Sequence, residues 1–150
     1  MGNRGCLHDP HGNVKKRWAI KPWVTCLLDF KGRHRQIMAP GRYTELFFLD
    51  ELTALAAGHR PCGTCQKARY DEFKRVWLEM NEDELGGGDR SIKAVDTYLH
   101  SERVCSAGRD VLWRAQVFDL PDGSMFSRTS DANQAWMKWG GRLHPDFDSF

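Results

Sequence analysis

No stretch of this 150-residue chain is long and apolar enough to cross a bilayer, and its N-terminus lacks the apolar segment of a secretion signal. The expectation is a soluble, cytoplasmic protein with no membrane partner. Cysteine is scarce and odd in number: five residues, without the spacing of a disulfide framework. That pattern suits a reducing compartment and thiols that are buried or bound to metal. Repeats are absent, and the only break resembling a linker is the acidic, Gly-rich NEDELGGGD at 81–89. What is present has the size of one domain, 1–150. Mean hydropathy is low at −0.59, yet six Trp and eight Phe supply bulk for a core.

The net charge of +2 conceals an asymmetry. Residues 1–70 hold twelve Lys/Arg against five Asp/Glu, and residues 71–150 hold ten against fifteen. A basic, β-rich part (1–70) followed by an acidic part of helices and a hairpin (71–150) fits a polyanionic partner, DNA or RNA, bound through the first. Arg4, Lys15, Lys16, Arg17, Arg33, Arg35 and Arg42 are the candidate contacts. Solvated strand faces and turns account for the same residues without a partner.

Chemistry concentrates in FFLDELTALAAGHRPCGTCQKARY, residues 47–70. An apolar, strand-like run ends at Asp50, which is placed to cap a short helix carrying Leu52, Leu55 and Ala56. Gly58 suits the left-handed position after the last turn. The elbow His59-Arg60-Pro61 then delivers Cys62-Gly-Thr-Cys65 at the start of a second helix. Two thiols at that spacing make half of a tetrahedral zinc site. Helix N-terminal dipoles favour their thiolates.

Over about residues 44–70 this stretch resembles the C-terminal half of the Ada-type metal-binding module of methylphosphotriester repair proteins. Phe47, Phe48, Asp50, Ala57, Gly58, Arg60, Pro61, Cys62 and Cys65 carry the likeness. The resemblance implies that Cys62 and Cys65 bind zinc. The second, upstream Cys pair of that module has no counterpart here, only His34 and Cys26 as alternate ligands.

Other ligands come from the first thirteen residues, MGNRGCLHDPHGN. That segment has little core-forming power, and a metal would fix it: Cys6 and His8 with Cys62 and Cys65 would complete a Cys₃His set. A frayed terminus with incidental Cys and His, or the abrupt start of an excised form, is the bland alternative. Cys26, inside the apolar run WVTCLL, reads first as a buried thiol and second as a ligand. Three enzyme readings stand beside a structural zinc. Asn3, His8, Asp9 and His11 are residue types that metal-dependent nucleases use. An Ada-like alkyl acceptor would need Cys6 as its exposed thiolate. A deaminase relative would take His34, Cys62 and Cys65 as ligands, but Gln36 stands where that chemistry needs a proton-carrying Glu.

The spacing predicts an α+β fold with a mainly antiparallel sheet, an Ada-like zinc knuckle and two or three helices. Strands are expected over Val14 to Ile20, Trp23 to Phe30, His34 to Met38 and Tyr43 to Leu49. One helix is expected from Gln66 to about Met80, burying Tyr70, Phe73, Val76, Trp77 and Met80, and another from Ile92 to Val104, capped by Ser91. Val111 to Leu120 and Ser124 to Arg128 read as a hairpin around Pro121-Asp-Gly, and AWMKWGGRLHPDF as a strand, a Gly-Gly turn and an extended end.

Overall fold

A computed structural model describes the chain except residues 34–35, 86, 106–107, 109–110 and 146–150, and except the side chain of Asn133. The fold is α+β, with β1 (Gly2–Asn3), β2 (Val24–Thr25), α1 (Glu51–Ala56), β3 (Arg60–Pro61), α2 (Lys67–Met80), α3 (Glu82–Leu85), α4 (Ile92–Arg103), β4 (Met125–Arg128), β5 (Asp131–Trp139) and β6 (Arg142–His144). Two compact units are present, Met1–Val111 and Leu112–Phe150. Among the described residues no helix is long and apolar enough to cross a membrane.

In the first unit the local signals hold. Asp50 Oδ1 accepts from Thr53 N at 2.7 Å and caps α1, and Gly58 ends it at φ +79°. Ser91 Oγ accepts from Ala94 N at 3.2 Å and caps α4. The β content is smaller than the sequence suggests. Among the described residues of the four strands expected between 14 and 49, only Val24–Thr25 forms a strand, with bridges Gly2↔Leu46 and His8↔Val14. The start of the expected His34 to Met38 strand lies outside the described residues. Its partners lie far away in sequence: β1 pairs with it antiparallel, β3 parallel. The intervening loops are held by scattered bonds instead. Gly5 O accepts from Thr44 N, Leu7 O from Lys15 N and Lys16 N, and Arg4 O from Ala19 N and Ile20 N.

Aromatic bulk serves as clamp rather than sheet. Trp23 is buried, with the Arg4 guanidinium 4.0 Å and that of Arg103 4.9 Å from its ring. His100 of α4 meets Trp18 edge-on at 4.4 Å, and His59 meets Phe48 at 4.8 Å. Along α2 the expected stripe is only partly covered. Leu78 is its buried residue, whereas Val76 and Met80 are exposed, and Trp77 packs edge-on against Tyr98 of α4.

The second unit is an antiparallel meander, β4–β5–β6. The expected hairpin around Pro121-Asp-Gly does not form, because Val111 to Leu120 is not a strand. The turn that joins β4 to β5 is Thr129-Ser130, between the paired Arg128 and Asp131. Pro121-Asp-Gly still bends the chain into β4, with Ser124 N donating to Pro121 O. Gly140 and Gly141, both at positive φ, close β5 onto β6 between the paired Trp139 and Arg142.

Candidate metal centre

The parallel pairing of β2 with β3 builds the site. Thr25 stands opposite Pro61, so the next residue of each strand, Cys26 and Cys62, leaves the sheet at the same end. Cys62 N donates to Thr25 O at 2.9 Å and ties the two exits together. One turn later Gln66 N donates to Cys62 O, folding the Gly63-Thr64 turn so that Cys65 comes back toward both. Gln66 Nε2 donates to Thr25 O at 2.9 Å and fixes the start of α2 against β2.

The sulfurs of Cys26, Cys62 and Cys65 lie within 4.8 Å of one another, and all three residues are half-buried. None of the five cysteines is in a disulfide. Zn–S bonds of ~2.3 Å at tetrahedral angles set sulfurs ~3.8 Å apart, so the donor set fits a thiophilic divalent ion. Backbone N–H groups support negative sulfur: Leu27 N donates to Cys65 Sγ and Thr64 N to Cys62 Sγ, each at 3.4 Å. For Cys62, burial pushes the thiol up, but N–H groups of Cys65 and Thr64 outweigh it and hold the thiol below its usual range. Burial, then the neighbouring Cys62 and Cys65, push Cys26 up to about 12. Three thiolates this close repel one another, and a cation among them removes the conflict.

The chain matches no protein-family model, no curated protein and no solved structure. The group of three cysteines therefore stands on its own geometry, and it can hold a metal ion.

The remaining candidates are distributed as follows. Cys6 and His8 are not members of the three-cysteine group. Cys6 Sγ donates to His8 O at 3.6 Å, and His8 Nδ1 lies 2.6 Å from Thr44 Oγ1, which also accepts from Leu7 N. Backbone bonds to 15–20 and 44 thus fix the N-terminal loop in the role the sequence suggests for a metal. Asp9 Oδ1 accepts from His11 N and Asn13 N, closing a turn that lowers the Asp9 pKa, and His11 is exposed. His34, the other alternate ligand, lies outside the described residues, as does Arg35.

Among the basic candidates, Arg4 is built into the interior. Its Nη2 donates to Ala57 O, and its Nε donates to His59 Nε2 at 3.2 Å. Lys15, Lys16, Arg17, Arg33 and Arg42 are exposed, with Lys15 3.8 Å from Asp9. A cleft of about 430 Å³ opens beside the thiols, lined also by Asn3, Leu28, Phe30, Arg33, Glu45 and Phe47. The pairing of Val24 with Arg60 and Thr25 with Pro61, each 36 residues apart, is what made Cys26 the third member, and no local motif announces it.

Proposed function

We propose that this chain is a zinc-binding protein whose ion is held by Cys26, Cys62 and Cys65, and that the region braced by the ion contacts DNA or RNA. The convergence of three sulfurs within 4.8 Å carries the reading. Thiolate donors close enough to converge on a tetrahedral ion favour zinc among the common divalent ions of a reducing compartment. The likeness of residues 44–70 to an Ada-type module supports the same ion. Zinc here ties β2, β3 and the start of α2 to one point, in a unit whose strands are only two residues long.

The nucleic-acid part rests on charge. The basic excess of residues 1–70 is presented by exposed Lys15, Lys16, Arg17, Arg33 and Arg42, which suit a phosphate backbone rather than base reading. Elemental analysis of the purified protein tests the metal: about one zinc per chain is expected, and Cys62→Ser should abolish it. Binding to labelled DNA and RNA should weaken steeply as salt rises. No retention on either polymer at low salt would move the reading to another partner.

A second reading, a metal-dependent enzyme, is favoured by one observation: the thiols form part of the wall of a cleft. Structural zinc sites are closed, and catalytic ones keep a place for water or substrate.

A further inference from the structure

The wall of the cleft carries more information than its position. Its volume, about 430 Å³, is that of a small-molecule site. Leu28 and Phe47 line it while remaining 73% and 58% exposed, so apolar surface stands open beside three sulfurs. Phe30 adds a second aromatic ring, with the Lys31 ammonium 5.3 Å and the Arg33 guanidinium 5.5 Å from its centroid. Asn3 offers an amide and Tyr43 and Thr64 hydroxyls, Arg33 and Glu45 carry opposite charges, and the Met1 ammonium, which donates to Cys26 O at 3.0 Å, adds one positive charge. Glu45 is buried, and its Oε2 accepts from Met38 N at 3.0 Å, so the carboxylate is held in place.

Three thiolates around a divalent ion leave a net charge of −1 and one corner of a tetrahedron to fill, and all three cysteines line the cleft. The Met1 ammonium beside Cys26 offsets that −1, and an anionic fourth donor would add a further negative charge with no such counterpart, against largely apolar walls that disfavour it. An uncharged donor adds no charge. A flat aromatic body matches Phe30 and Phe47.

We propose that the cleft binds an uncharged aromatic nitrogen heterocycle, stacked against Phe47 and Phe30, with a ring nitrogen donating its lone pair to the metal held by Cys26, Cys62 and Cys65. The bond is coordinate and displaces at most a water. Asn3 and the fixed Glu45 carboxylate are placed to hydrogen-bond the ring edge. This inference rests on the metal reading above, and it assigns that site an exchangeable ligand. The heterocycle arrives either as a free small molecule or as an unpaired base of a single strand.

The test uses the full chain loaded with Co²⁺, whose thiolate charge-transfer and visible ligand-field bands report the two steps separately. 4-Phenylimidazole is the probe and acetate the anionic comparison. Loading should give the thiolate band. The visible bands should then shift saturably, one probe per chain, with 4-phenylimidazole and not with acetate at equal concentration. Phe47→Ala should retain the thiolate band and bind the probe about tenfold more weakly. Leu28→Ala, at an exposed position, repeats the test should Phe47→Ala fail to fold. A short single-stranded oligonucleotide that produces the same shift assigns the ring to a polymer, and adenine alone producing it assigns a free ligand. Bands that ignore the probe, that move equally with acetate, or that respond undiminished in both variants overturn the proposal while leaving the metal site standing. Absence of any thiolate band sinks the metal reading itself, and this one with it.

Discussion

Arg60 grips Asp96 through two parallel hydrogen bonds, Nε to Oδ1 at 2.6 Å and Nη2 to Oδ2 at 2.7 Å, with both side chains buried. The pair joins β3, two residues before Cys62, to the middle of α4. Arg60 Nη1 also donates to Pro61 O, so the guanidinium orients the peptide that leads into the Cys62 turn.

Breaking this pair from one side strands a buried charge. Asp96→Ala should therefore lower unfolding free energy by about 3–5 kcal/mol. The double variant Arg60→Met/Asp96→Leu should lose much less. Urea denaturation of both proteins checks the asymmetry. Asp96→Ala should also weaken metal binding, because α4 no longer holds the elbow before Cys62.

Ligand identity is the second prediction. Cys26→Ser should lose metal as completely as Cys62→Ser or Cys65→Ser, whereas Cys6→Ser should retain about one ion per chain. His8→Ala should retain it too while costing about 1–3 kcal/mol of stability, since Thr44 Oγ1 loses a buried partner. Elemental analysis alongside thermal denaturation separates the two effects. Metal lost in Cys6→Ser and kept in Cys26→Ser would reverse the assignment.

His59 supplies a pH dependence with a definite sign. Burial first, then the Arg4 cation, lower its pKa to about 3. Arg4 donates to Nε2, so the neutral ring carries its proton on Nδ1. The unfolded chain binds a proton near pH 6.5, and the folded one does not until about pH 3. Stability from this group is complete above pH 6.5 and declines as pH falls from there toward 3, by at most ~1.4 kcal/mol per pH unit. His100, lowered by burial and by Arg103, acts in the same direction. Urea midpoints between pH 7 and pH 4 should fall less steeply in His59→Gln than in the parent. Equal slopes would mean that the ring is charged in the folded protein.

Gly58 is a backbone requirement. At φ +79° a side chain is strained, and an added Cβ would lie 2.9 Å from Arg103 Nε. Gly58→Ala should cost about 1–2 kcal/mol from the backbone alone, plus whatever is lost as Arg103 shifts from Trp23. A lowered melting temperature with unchanged metal content is the expected result.

Legibility in the sequence followed the range of the interaction. Asp50 and Ser91 announce helix starts because their side chains bond three residues ahead, and Gly58 announces an end for a similarly local reason. The Cys62–Cys65 pair was equally plain. Cys26 was not, because its place follows from β2 pairing with β3, and a run such as WVTCLL fits a buried strand whatever its neighbour. The β-branched and aromatic stretches between 14 and 49 overstated strand content for a related reason. Trp18 and Trp23 spend their surface on His100, Arg4 and Arg103, so the backbone around them needs no ladder. Pro121-Asp-Gly turned the chain as its residues require, but a turn makes a hairpin only if both flanks pair.

The two-residue match of β2 to β3 has a corollary for anyone handling the protein. Sliding one strand past the other by a single position would shift the exit of Cys26 by one residue against that of Cys62 and turn it to the other side, scattering the three sulfurs. On the proposed metal reading, metal content would then serve as a gauge of whether Val24 still faces Arg60, and a chelator would act on the chain as a strand-loosening agent as much as a metal stripper.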